Sequence, residues 1–316
     1  MAEQQFLGGG AMFVGTIKHL GEDDRNQLTA EAMSTEALTT SEIEGEILDR
    51  ASVQSSIQRQ MGLAGDNRRV GPAERGASEI IAHLYKTLSA PLPEEMLSAW
   101  HRTLMSGRRD LADAGRCRTG AEPRQVLSGP MGSPRIRFEA PPSQKVASET
   151  ARFIDWFNRA APGHEQPLPA LTRAGVTHLY FESIHPFEDG NGRLGRAAPK
   201  CLAQNLGQPS LIALAAAILA RRAGCYDALQ AANKDNAITD GLAWFARIAI
   251  EAQRRTIALI EFLIDKTNRL RGQFNDRQPK ARLRMFREGS KGLPRRINCG
   301  KYGSIAGASP RRRHAA

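Results

Sequence analysis

Residues 185–196, HPFEDGNGRLGR, gather a histidine, two carboxylates, three glycines and two arginines in one short stretch. A run of small residues that opens a helix presents backbone N–H groups to an anion, and the helix dipole favours negative charge at that end. Gly190 and Gly192 let the backbone approach closely, and a helical pattern resumes at about Leu194. Arg193 and Arg196 are three apart, so they face the same way and can both reach phosphate oxygens. Asp189 stands at the mouth of this cradle, which suits a ligand for Mg²⁺, an ion held by one or two protein carboxylates plus phosphate oxygens. His185 has the side chain whose ordinary pKa suits a general base near neutral pH. A base, a metal ligand and an anion cradle together describe phosphorus transfer. The glycines also satisfy G-x-G-x-x-G, but a dinucleotide fingerprint needs an acidic residue about 20 positions later for the ribose. No Asp or Glu lies between Asp189 and Asp227, and G-x-x-x-x-G-K-[ST] is absent from the chain, which excludes a P-loop.

The elements that must position these residues read as mainly helical. Helical stretches are expected at 23–48, 72–88, 94–105, 143–158, 168–183, 194–206, 211–223, 227–233 and 239–264, from apolar periodicity and from stops such as Gly207 and Gly224. One segment reads as β: 125–138, where two short runs flank the turn signal Gly129-Pro130-Met131-Gly132. Such a ribbon leaves an edge on which an extended partner can pair its backbone. The chain has 316 residues and a net charge of +11. From Arg277 to Arg313 there are twelve Lys or Arg against one acid, Glu288, so the whole surplus sits in the tail and the main body is neutral. The four cysteines lack C-x-x-C spacing, which suits reduced thiols in a cytoplasm. The start lacks the lysines of a signal peptide, and the longest apolar run, at 211–220, is too short to span a bilayer. No membrane partner is expected.

The twelve-residue stretch resembles the signature of the Fic family, H-x-F-x-[DE]-G-N-G-R-x-x-R, at every required position. The resemblance extends to THLYFESIHPF before it, YDALQAAN after it and FEAPP…FIDWFN beyond the hairpin, covering about residues 20–275. It implies an all-α Fic core with a β-hairpin flap and an adenylyltransferase activity: transfer of AMP from ATP to a Tyr, Thr or Ser hydroxyl of a protein, with release of pyrophosphate. In that likeness His185 is the base and Asp189 holds Mg²⁺. Gly190, Asn191, Gly192, Arg193 and Arg196 hold the phosphates. Tyr226 and Asn233, in a Y-x-x-L-x-x-x-N stretch, line the nucleotide pocket. The flap, around Gly129, Met131 and Ile136, aligns the target by strand addition. Near the N-terminus TTSEIEGEIL (39–48) resembles the family's inhibitory helix, [ST]-x-x-x-E-[GN], through Thr40, Glu44 and Gly45. Thr40 and Glu44, four apart, share a helix face. In relatives of that class the glutamate pairs with the second arginine of the signature, here Arg196, and keeps ATP from binding productively. The same glutamate directs a hydrolytic water in some relatives, which makes removal of AMP a secondary activity. Relatives with this arrangement are often dimers, so a homodimer is expected.

The expected division is 1–70, a helical segment with the inhibitory motif; 71–272, the catalytic core; and 273–316, a basic tail. Two residues depart from the family pattern: Pro199, which would kink the helix after the signature, and Cys225, where relatives often carry an aromatic. The tail resembles the opening of a winged helix-turn-helix without its recognition helix and wing. Non-specific, salt-sensitive nucleic-acid binding is the most it supports. Fic folds that present a different phosphorus transfer UMP, phosphoryl or phosphocholine groups; the intact signature and the inhibitory motif favour AMP.

Overall fold

The computed structural model describes residues 1–18, 20–63, 66–121, 124–128, 135–195, 198–206, 214–235 and 237–273. The chain is mainly α-helical, as expected. The N-terminal helices are α1 (Ala2–Lys18), α2 (Glu22–Ile43), α3 (Arg50–Gln60), α4 (Pro72–Lys86) and α5 (Glu94–Leu104). Strands β1 (Gln125–Ser128) and β2 (Arg135–Glu139) form one antiparallel ribbon, with Val126 opposite Phe138 and Leu127 opposite Ile136. Then come α6 (Ser143–Arg159), α7 (Ala170–Ile184), α8 (Asn191–Gly195), α9 (Ala198–Leu206), α10 (Leu214–Leu219), α11 (Arg222–Asp235) and α12 (Thr239–Gln273). Two compact units divide the chain, residues 1–257 and 258–316, and of the second only the end of α12 is described.

Helix α7 is the axis of the first unit and lies against α6, α8, α9 and α11. It buries residues all round, including Ala170, Ala174, Thr177, His178 and Phe181, as a helix surrounded by others must. On α6, Val146, Thr150, Phe153 and Phe157 recur at helical spacing and are all buried. The Phe153 ring meets Phe181 at 5.5 Å and Tyr180 at 5.4 Å, both edge-on, a favourable aromatic geometry. Arg173, fully buried on α7, stacks over Phe157 and donates to the Phe157 carbonyl (2.9 Å) and to Gln204 Oε1 (2.6 Å), so one side chain ties α6, α7 and α9.

The structure corrects the sequence reading in several places. Helices α1 and α3 were not expected. Four glycines argue against α1 by propensity, but a side chain on Gly9 or Gly10 would collide with Gln253 or Leu206. These glycines are what permits close packing. Within the helix expected at 194–206, α8 reaches Gly195 and Ala198–Leu206 is helical among the described residues. Helix α12 runs as far as Gln273; the basic tail beyond it lies outside the described residues. Cys117, Cys201 and Cys225 are free thiols. Among the described residues no helix is long and apolar enough to cross a membrane.

The N-terminal helices belong to the same unit as the core, joined by carboxylates that cap core helices. Glu3 accepts hydrogen bonds from the N–H groups of Ala170 and Leu171, the start of α7. Glu36, buried on α2, accepts from the N–H of Ala215 at the start of α10 (3.1 Å). These groups lack intrahelical partners, and the dipole favours a negative cap there. Glu3→Ala is expected to lower unfolding free energy by about 1–2 kcal/mol, read as a shift in urea midpoint with an unchanged slope.

Candidate active site

Helix α7 ends by delivering His185. This residue has φ 50° and ψ 60°, the one non-glycine in the left-handed region among the described residues. Its N–H still donates to the Phe181 carbonyl (3.0 Å), but the following proline opposes another helical turn. A left-handed residue persists only where its surroundings hold it, and here Arg118 does so. The Arg118 side chain donates from Nε to the His185 carbonyl (2.9 Å) and from Nη2 to the Pro141 carbonyl (2.6 Å), while its backbone N–H donates to the Pro186 carbonyl (2.9 Å). The His185 Nδ1 is shut off from solvent without a hydrogen-bond partner. Burial, then the Arg124 and Arg118 charges, push the His185 pKa down to about 4, against the backbone of Glu182 and the Glu44 carboxylate. The ring is therefore neutral at pH 7 and able to take a proton.

The loop after His185 is pinned from both sides. Asn191, buried, donates from Nδ2 to the Phe187 carbonyl (2.7 Å) and accepts from the Phe187 N–H at Oδ1 (2.9 Å). Phe187 stacks on His101 at 4.0 Å. His101 Nδ1 accepts from the Gly115 N–H (2.8 Å), which leaves the proton on Nε2 to donate to the Asp189 carbonyl (3.1 Å). Its pKa is lowered, by burial above all, so the neutral tautomer holds. Gly190, at φ 77°, packs so tightly that an added Cβ would lie 2.6 Å from Met105 Cε. Asp189 Oδ1 accepts from the Gly190 N–H (2.6 Å) and Oδ2 from Arg108 Nη1 (2.8 Å). Burial alone would raise the Asp189 pKa, but that N–H, Arg108 and Arg193 outweigh it and hold the carboxylate ionised.

A second element enters this site from α2. Glu44 caps the C-terminus of α2, Gly45 follows at φ 84°, the Gly45 N–H donates to Glu42 and the Glu46 N–H to Ser41 (3.0 Å each). This is the paired hydrogen-bond pattern of a Schellman motif, which favours glycine at its left-handed position. The turn sends two carboxylates toward the 185–196 stretch. A Cβ on Gly192 would collide with the Glu44 carboxylate, so that carboxylate lies directly on the glycine. Glu46 forms an ion pair with Arg193, whose side chain is 8% exposed. Thr40, one turn before Glu44, is buried on α2.

Residues 91–203 match the family model described as Fic/DOC family. The chain carries a Fic domain. Residues 2–63 match a second model, described as a domain of unknown function (DUF4172), which spans α1, α2 and α3 ahead of the Fic match. Among similar proteins, the protein adenylyltransferase fic-1 of Caenorhabditis elegans is 26% identical over 174 residues, 54% of this chain and 31% of that one. The protein adenylyltransferase Fic of Drosophila virilis is 27% identical over 175 residues, 54% and 32% of the two chains. The chain thus spans about a third of the length of these curated relatives. The crystal structure of a Fic family protein from Desulfovibrio desulfuricans superposes with TM-score 0.60 at 20% identity, over 98% of this chain and 84% of that chain. A Fic domain containing signaling protein from Bacteroides thetaiotaomicron gives 0.60 at 16% identity, over 83% and 97%.

Within the Fic domain the structure brings His185, Asp189, Gly190, Asn191, Gly192 and Arg193 together with Glu44. Asn191 lies there with its amide already engaged by Phe187, so it shapes the loop. Asn233 joins the end of α7: its Oδ1 accepts from Ser183 Oγ (2.9 Å), two residues before His185, and its Nδ2 donates to Leu229. Tyr226 belongs to α11 and Ile136 to β2 by backbone, and their side chains lie outside the described residues. So do Arg196, Gly129 and Met131, and with Arg196 the expected Glu44 pair. Arg108, Arg118, His101 and Glu46 were missed by the sequence reading. Only Glu46 carried a signal, as a second glutamate beside the inhibitory glycine. The others come from segments remote in sequence.

The lowered His185 pKa has a consequence for stability. The folded value of about 4 lies below the ordinary 6.5, so between these pH values the unfolded chain binds a proton that the folded chain refuses. Stability from this group is complete above pH 6.5 and falls as pH drops toward 4. Between pH 7 and 4.5 the wild type is expected to lose about 2–3 kcal/mol more than His185→Gln, measured by chemical denaturation at each pH.

Proposed function

We propose that the chain is an autoinhibited protein adenylyltransferase that transfers AMP from ATP to a Tyr, Thr or Ser hydroxyl of a protein target. The observation that carries this reading is the Glu44 carboxylate resting on Gly192, beside a neutral His185. A site so equipped has its base ready and its phosphate cradle filled by a carboxylate of the same chain. The relatives named protein adenylyltransferase support the activity.

In the reaction His185 accepts the proton of the target hydroxyl, and the oxygen attacks the α-phosphorus in line. The bond from that phosphorus to the oxygen bridging to the β-phosphate breaks. Pyrophosphate leaves with the electron pair, and AMP stays on the target as a phosphodiester. The α7 terminus fixes the base in position, and Arg193 neutralises phosphate charge once Glu46 releases it; positioning and charge stabilisation are most of what phosphorus transfer requires. Asp189 is the residue to hold Mg²⁺. A single ionised carboxylate fits an ion that completes its shell with phosphates and waters, and among the described residues no group of three or more His, Cys, Asp or Glu forms a cage of its own. Bound there, Mg²⁺ would supply charge neutralisation at the phosphates, as the Arg108 guanidinium now does for the Asp189 carboxylate. The β1–β2 ribbon would align the target by strand addition. The free thiols suit a reducing compartment such as the cytoplasm.

The test is labelling of protein by ATP radiolabelled at the α-phosphate, with Mg²⁺. Glu44→Gly is expected to raise labelling by about 10–100-fold over wild type, the size of a typical coupling between sites. Adding His185→Ala should return it to background. Equal label in wild type and Glu44→Gly would remove the inhibitory role of Glu44, and label surviving His185→Ala would remove the base. Glu46→Gln on top of Glu44→Gly is expected to lower the KM for ATP further by freeing Arg193. Label from UTP with none from ATP would replace the donor.

A further inference from the structure

A second basic site lies away from the 185–196 stretch, between the C-terminal end of α3 and the first turns of α4. Four guanidinium groups, Arg59, Arg68, Arg69 and Arg75, line a cavity of about 430 Å³ together with Ser56 and a single carboxylate, Glu79. Arg68 is neutralised from outside the cavity by Asp66 (2.8 Å) and Asp49 (3.6 Å). The other three have no carboxylate partner among the described residues. Arg59 donates only to the Ser55 carbonyl (3.4 Å) and Arg75 only to the Val70 carbonyl (3.5 Å). Arg75 stands in the first turn of α4, where Glu74 offsets the positive end of the helix dipole, so the surplus comes from the guanidinium groups themselves.

We infer that this cavity is a binding site for a small anion bearing two or more phosphate groups. Three exposed guanidinium groups without a carboxylate partner, beside the one carboxylate of Glu79, leave the concavity a positive surplus that an anion can neutralise. The guanidinium fork matches phosphate oxygens two at a time, which a solvated lysine patch does not. The volume falls in the range of small-molecule sites, which suits a pyrophosphate or nucleoside polyphosphate. The same residues make no contribution to the Fic signature, so the site stands whether or not the adenylyl transfer reading holds.

The experiment uses the full chain and pyrophosphate as probe, with calorimetry for affinity and hydrogen exchange to locate binding. Wild type is expected to bind and to gain protection over 55–60 and 66–76. The Arg59→Ala, Arg69→Ala, Arg75→Ala triple variant should bind at least about tenfold more weakly, with an unchanged thermal melt because all three side chains are exposed. The corresponding lysine triple, which keeps charge but loses the fork, should fall between. ADP binding more tightly than pyrophosphate would assign the site to nucleotides; equal affinity would assign it to free polyphosphate. Protection confined to 185–195, or equal affinity in wild type and the alanine triple, would overturn the proposal.

Discussion

Helix α7 must stop at His185, in a backbone conformation that side chains rarely accept. A histidine one residue earlier on the helix would point elsewhere, and one residue later would be a proline. Several otherwise unrelated features serve this stop. Pro186 denies the next helical turn, Arg118 holds the carbonyls of His185 and Pro186, and Asn191 fastens Phe187 beneath the loop. His101 then supports the loop from α5 through Phe187 and Asp189. The strain at one residue is thus shared by contacts from three parts of the chain, which is how such conformations survive.

Charge follows a common rule across the site. Asp189 is held by Arg108, Arg193 by Glu46, and Gly192 lies under the Glu44 carboxylate. Among the described residues these groups suited to a phosphate or a cation already have a partner from the same chain. A ligand must displace these partners, and its net gain is the difference between two sets of charge-assisted contacts, not the sum of the new ones. The Schellman turn at Gly45 puts both glutamates within reach, so a local backbone motif sets the electrostatics of a remote loop.

The companion N-terminal helices are joined to the Fic domain by more than apolar packing. Glu3 and Glu36 cap the starts of α7 and α10, and the glycines of α1 allow it to lie close on Leu206 and Gln253. Helix α2, which carries Glu44, is therefore tied to α10 through Glu36. Buried carboxylates at helix starts fix its register as well as its stability.

The sequence by itself determined the signature, the helical class, the ribbon and a glutamate followed by a glycine at the end of α2. These are local facts: spacing within one helix turn, a proline after a histidine, a glycine where the chain must turn left-handed. Tertiary structure decided the rest. Helix α1 exists because packing outweighs its glycines. Arg108, Arg118 and His101 reach the site only once α5 and the chain after it fold back on the end of α7. No periodicity announces such residues, because a hydrogen bond depends on where two chain segments meet and not on how far apart they lie in sequence. For the same reason Glu46 looked like one more charged residue until the fold set it against Arg193.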